Sequence, residues 1–233
     1  MKRSHWSTAV LGIVFAIGIA CVPMAAQAAE GDPPPLKHPH ITMDKKTLQE
    51  GLQVFVNVCM GCHSAKYVTY GDLMRYPELG LSRKQVDALR GSKSLLAGLT
   101  TDLTPADAKM SYGKVPPDLS VITRSRQGPD YVYSILTGFE HDPSGRIPDG
   151  FYNVYFPGNH IAMPDPLTWF HHDPKDTDHI EEQARSVASF LAFIGEPHQL
   201  QREAIGYYVI GFLVLLTIVL WLLKREIWKD VKH

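Results

Sequence analysis

Four stretches of the chain carry a readable apolar pattern. An uncharged apolar run extends from Ala9 to Met24. In KKTLQEGLQVFVNVC, Leu48, Leu52, Phe55 and Val56 recur at helical spacing, which predicts an amphipathic helix with one face on a core. EEQARSVASFLAFIGEP repeats the pattern through Val187, Phe190, Leu191 and Ile194, and Gly195 and Pro197 stop it. AIGYYVIGFLVLLTIVLWLL, Ala204 to Leu223, runs 20 positions without a charge. Between the two amphipathic stretches strand signals are few, while glycine and proline are frequent, as in long loops. The pattern predicts a mainly α chain: two core helices far apart in sequence, long loops between them, and one apolar helix near the end.

The outer apolar runs say where the chain lives. Lys2 and Arg3 precede the first, and Ala26 and Ala28 follow it in an A-x-A arrangement, the form of a secretory signal peptide cleaved after Ala28. An uncleaved N-terminal anchor is the alternative. A lipoprotein with Cys21 as its first residue is a third reading, disfavoured by Gly18 at the start of such a site. The last run, at ~1.5 Å per residue, spans roughly 30 Å, the hydrocarbon thickness of a bilayer. Tyr207, Tyr208 and Trp221 sit near its ends, where amphipathic rings prefer the interface. Lys224, Arg225, Lys229 and Lys232 follow it and mark that side as cytoplasmic. The expected organisation is a signal peptide 1–28, an exported domain 29–203, a transmembrane helix 204–223 and a cytoplasmic tail 224–233. The body then lies outside the inner membrane, in the periplasm, held by a single pass.

Charge narrows the partners. Residues 29–203 hold 17 Lys and Arg against 22 Asp and Glu, a net charge of −5. No basic stripe is present, so nucleic acid is not expected as a partner. A mildly acidic surface suits a basic protein partner.

Only two cysteines survive removal of the leader, and they stand together in VNVCMGCHSAKY. Cys59 and Cys62 have three readings: a redox-active disulfide, half of a zinc site, or a haem attachment. His63, directly after the second cysteine, favours the last, because C-x-x-C-H is the c-type haem signature. Two thiols add across the vinyl groups and the neighbouring imidazole reaches the iron from the same turn. Zinc requires a further ligand pair at short spacing, and a thioredoxin-like dithiol requires a βαβ setting. A helix leading into this motif and a second helix packing across it from far downstream resemble a cytochrome c-like haem domain.

An electron carrier fills both axial positions of its iron. Met163, in the Gly/Pro-bounded loop YFPGNHIAMPDPL, is the expected distal ligand: its soft, uncharged thioether favours ferrous iron and raises the potential. His160 is its rival in the same loop. Met74 and Met110 are expected to fill gaps or lie near the surface. His141, His171, His172, His179 and His198 sit among polar neighbours and are expected to be solvated.

Several stretches together resemble the cytochrome c1 family, the haem subunits of cytochrome bc1 (ubiquinol–cytochrome c reductase) complexes. They are CMGCHS, GKVPPDLSVITRSRQGPDYVYSILTGF, FYNVYFPGNHIAMPDPL, and SFLAFIGEPHQLQR followed by the membrane helix. The likeness covers nearly all of the chain after the leader, and the short chain without additional cysteines is like a proteobacterial form. It implies one covalent heme c, with Cys59 and Cys62 as thioether cysteines, His63 as proximal ligand and Met163 as distal ligand. It also implies that Arg126 pairs with a haem propionate, that Tyr131 hydrogen-bonds the same group, and that Pro117, with Pro116, lies close to the ring; Arg124 is a weaker candidate. The segment MSYGKV stands where the family has Asn and Gly. The implied work is electron transfer within a dimeric multi-subunit complex, with no substrate chemistry of the chain's own. A Rieske iron–sulfur protein donates, a cytochrome c accepts, and a cytochrome b subunit and the lipid bilayer flank the anchor. An independent membrane-anchored electron shuttle is the alternative, and a haem peroxidase or sensor with an open distal side is a third reading.

Overall fold

A computed structural model describes residues 33–168 and 177–230. The expected signal peptide, Cys21, His171, His172 and Lys232 lie outside the described residues. Within them eight helices follow in order: α1 (Lys45–Asn57), α2 (Tyr70–Arg75), α3 (Arg83–Arg90), α4 (Pro105–Tyr112), α5 (Ile122–Ser125), α6 (Gly128–Leu136), α7 (Thr177–Gly195) and α8 (Gln199–Ile227). A 3-10 turn, Cys59–Gly61, extends α1, and a small antiparallel ribbon pairs β1 (Ala65–Thr69) with β2 (Gly98–Leu99). The fold is mainly α, as the apolar pattern predicts.

The core is built on the crossing of α1 and α7. Leu48, Leu52 and Phe55 are fully buried on α1, and Val56, at the edge of that face, is only partly covered. On α7, Val187, Phe190, Leu191 and Ile194 are buried, together with Ala184, Ala188 and Phe193. So many covered positions on one helix follow from its neighbours: α7 packs against α1, α5 and α6. Gly51 makes the crossing close. A Cβ there would fall inside the carbonyl oxygen of Ser186 and 2.7 Å from Phe190 Cβ. The approach lets Phe55 and Phe190 meet with ring centroids 5.7 Å apart, while Tyr76 meets Phe193 edge-on at 5.2 Å.

Local signals start and stop the helices. Asp44 caps α1, accepting from the Thr47 amide at 3.1 Å and the Thr47 hydroxyl at 2.6 Å. Thr69 with Asp72 and Ser82 with Gln85 form capping boxes at α2 and α3. Hydrogen bonds from the Thr47 hydroxyl and amide hold the Asp44 carboxyl down at about 2, against an ordinary value of 3.8. A carboxyl depressed in the folded state lends stability above its unfolded pKa and loses it as pH falls through the folded one. We therefore predict a fall in the thermal midpoint between about pH 3.8 and 2 to which Asp44 contributes. An Asp44→Ala variant shows a flatter midpoint-against-pH curve in that window; an unchanged slope refutes the assignment.

α8 stands apart from this core. None of the residues in its apolar window, mean hydropathy 2.4, is buried against the other described residues. Apolar side chains exposed on every face of one helix indicate a lipid surrounding rather than water. The helix runs past both ends of the uncharged run 204–223. Its 29 residues reach roughly 44 Å, enough to carry both ends into the headgroup layers.

Candidate functional site

The turn after α1 gathers the chemistry. The amides of Cys62 and His63 both bond the Cys59 carbonyl, at 3.1 and 2.8 Å, so two thiols and an imidazole issue from one turn. Both cysteines are free, half-buried thiols. Burial, with the neighbouring Cys62 second, pushes the Cys59 thiol up to about 12. Among the described residues, no three of His, Cys, Asp and Glu gather into a metal-binding group. A zinc reading of the cysteine pair has no ligand set there.

A strap following α4 fixes the imidazole. Leu119 donates its amide to the Ser64 carbonyl at 2.6 Å, and Asp118 accepts from the Lys66 amide at 3.1 Å. The Ser120 hydroxyl accepts from the Tyr67 amide at 3.1 Å. These bonds hold the Pro117 carbonyl oxygen 2.8 Å from His63 Nδ1. A carbonyl only accepts, so Nδ1 carries the proton and Nε2 keeps its lone pair. Burial lowers the His63 pKa, and the Pro117 carbonyl and Asp118 offset it in part. A neutral imidazole held through one nitrogen and free at the other is the form that ligates iron.

The described residues that follow α6, 137–168, are held by their own hydrogen bonds. Buried Asn153 donates from Nδ2 to the Ile135 carbonyl at 2.7 Å and accepts the Tyr155 amide at Oδ1, 3.1 Å away. Asp142, also buried, accepts from the amides of Ser144, Arg146 and Ile147 and from the Ser144 hydroxyl. Those bonds hold its carboxyl far below the usual range. Further backbone bonds, Ile161 to Phe151 at 3.0 Å and Asp165 to Gly150 at 2.9 Å, bracket Met163.

The result is one cavity of about 300 Å³ lined by Cys59, Cys62, His63, Pro117, Arg126, Tyr131 and Met163. Apolar residues, among them Leu119, Ile135, Val187 and Leu191, make most of its wall. His160 is exposed and does not line it. Met110 is exposed, and Met74 packs on the core elsewhere. The Arg126 guanidinium lies 5.8 Å from the centroid of the Tyr131 ring, so a cation and a phenol stand together on the wall. Arg124 is engaged elsewhere, 3.0 Å from Glu196. Two thiols, a lone-pair imidazole, a thioether and a guanidinium around an apolar cavity fit a haem: groups that could anchor it, donate to its iron and pair with its carboxylates.

The chain matches the model of the Cytochrome C1 family over residues 35–231. The chain belongs to the cytochrome c1 family. It is 36% identical to cytochrome c1 of Allochromatium vinosum over 223 residues, covering 81% of this chain and 86% of that protein. It is 33% identical to cytochrome c1 of Rhodospirillum rubrum over 230 residues, 82% and 84% of the two chains. A Bradyrhizobium diazoefficiens protein named cytochrome b/c1 is 31% identical over 254 residues, which cover 88% of this chain and 37% of that one. Membership of this family brings a haem cofactor and electron-transfer work, and α8 makes the protein membrane-anchored.

The cavity also holds residues that sequence reasoning did not single out. Tyr112, at the end of α4, places its hydroxyl 3.9 Å from Cys62 Sγ, and Lys114, Val115 and Phe156 join the lining. The first three fall in MSYGKV, the segment that departs from the family pattern, and the departure was the available signal. Phe156 carries no local signal beyond its glycine-rich loop.

Proposed function

We propose that this chain is the haem subunit of a bc1-type quinol–cytochrome c reductase. In this reading it binds one covalent heme c, accepts an electron from a Rieske iron–sulfur protein and passes it to a cytochrome c. The observation that carries it is the convergence of Cys59, Cys62, His63 and Met163, from opposite ends of the domain, on one apolar cavity. The haem, when bound, supplies a one-electron iron couple. Cys59 and Cys62 would anchor it, His63 would offer Nε2, and Met163 would offer a soft sulfur of the kind that raises a haem potential. Arg126 and Tyr131 hold a carboxylate at the wall, where a guanidinium grips bidentately. The mostly apolar wall would keep water from its iron.

The surrounding assembly belongs to the same proposal. Residues 1–28 act as a cleaved leader, 29–203 form a periplasmic haem domain, 204–223 cross the inner membrane, and 224–233 face the cytoplasm. A cytochrome b subunit packs beside the anchor, and the complex is a dimer. The relative named cytochrome b/c1 supports the pairing with a b subunit.

Three experiments test this. After acid–acetone extraction, a reduced-minus-oxidised spectrum shows haem still attached to the polypeptide; a colourless polypeptide ends the reading. Purification in mild detergent brings down a cytochrome b and an iron–sulfur protein; a chain that purifies alone is an independent anchored shuttle. His63→Ala lowers the yield of haem-bearing protein by roughly tenfold or more, measured as haem absorbance per polypeptide. A normal yield contradicts the assignment of His63.

A further inference from the structure

Glu196 sits in the three-residue joint between α7 and α8, where the haem-binding body becomes the membrane anchor. Its side chain is only 15% exposed and lies between two arginines from different elements. Arg124 Nη1, at the end of α5, is 3.0 Å from Oε2, an ion pair without hydrogen-bond alignment. Arg202 Nη1, in the first turn of α8, contacts Oε1. We propose that Glu196 is a positioning residue that latches the haem domain to its membrane helix, fixing the tilt of the cavity relative to the bilayer.

Three further features point the same way. Pro197 follows Glu196 and restricts the backbone of the joint. α5 is pressed onto this corner: the Thr123 hydroxyl donates to the Leu191 carbonyl at 3.3 Å, and a Cβ at Gly195 would meet Thr123 Oγ1 at 2.8 Å. Two residues beyond Arg124, Arg126 lines the cavity. A continuous run of contacts thus leads from the cavity wall through α5 and Glu196 to α8. Arg202 also explains why a carboxylate is needed: a cation in the first turn opposes the helix dipole, and Glu196 compensates it while itself favouring that end. Both arginines are more than half exposed, so water screens each pair, and the latch works through having two partners on one sheltered carboxylate.

The inference deepens the proposed function, since tilt decides which edge of the cavity partners reach, but its test does not depend on haem. The full chain, in lipid vesicles, carries nitroxides on keto amino acids at Leu96 and Tyr208, both strongly exposed, and the distance distribution between them is read by pulsed EPR. The unmodified joint gives one narrow distribution. Glu196→Gln loses it and gives a broad one, with the absorption spectrum of the domain unchanged. Arg124→Gln and Arg202→Gln each broaden it, and together they do no more than Glu196→Gln, as partners of one group should. Reversing all three charges, Arg124→Glu, Glu196→Arg and Arg202→Glu, restores the narrow distribution. A narrow distribution in Glu196→Gln overturns the proposal, as does a reversed trio that stays broad. Should Glu196→Gln fail to fold, Arg202→Gln at an exposed position decides alone, and a narrow result there is equally fatal. Absorbance of the same samples reports separately whether haem is bound.

Discussion

Met163→Leu lowers the midpoint potential and lets the ferrous protein bind carbon monoxide. Leucine matches methionine in volume, so the loop that carries position 163 keeps its shape; such swaps cost under about 1.5 kcal/mol in a core. What disappears is the soft sulfur that favours ferrous iron over ferric. Axial ligands govern potentials over a range of about 0.8 V, so the fall should be on the order of 100 mV or more. Redox titration measures the potential, and the spectrum under carbon monoxide measures the opened position. An unchanged potential and spectrum remove Met163 from the site. His160→Ala is the matching control, expected to change neither, because that imidazole is exposed and outside the cavity lining.

The second large effect is on stability and reverses the usual sign. Glycine inside an exposed helix costs about 1 kcal/mol relative to alanine, so propensity alone argues that Gly51→Ala stabilises. The crossing with α7 argues otherwise. A methyl at position 51 overlaps the Ser186 carbonyl, a backbone oxygen that cannot swing aside, and crowds Phe190 Cβ. Overpacking of this kind costs about 1–3 kcal/mol and more where backbone must move. The overlap wins. We expect a net loss of about 2 kcal/mol and a thermal midpoint lower by roughly 5 °C, read by circular dichroism. A higher midpoint would mean that α1 and α7 do not meet at Gly51.

Those two helices also show how far the sequence could be read. The 3.6-residue spacing of Leu48, Leu52 and Phe55, and of Val187, Phe190, Leu191 and Ile194, names both helices and the faces they bury. α8 was legible from length alone. What periodicity cannot carry is the third dimension. Gly51 reads as a weak helix residue until Ser186, far away in the chain, is seen against it. The β1–β2 ribbon is too short and irregular, with a register shift between Ala65 and Thr69, to leave an alternating pattern. The motif named Cys59, Cys62 and His63, but the Pro117 carbonyl that orients the imidazole is a backbone atom, which no side-chain pattern encodes. Arg124 and Arg126 look alike in SVITRSRQG, and their partners separate them: one meets Glu196, the other lines the cavity.

The distance along the chain between α1 and α7 has a consequence for biogenesis. A polypeptide emerges N-terminus first, so the cysteine pair is made long before the helix that packs over the domain. Until that partner arrives, the cavity lacks the wall that Val187 and Leu191 supply, and the receptacle stays half built. Because the lipid-seeking segment begins within a few residues of α7, sealing of the receptacle and lodging in the bilayer become nearly simultaneous events.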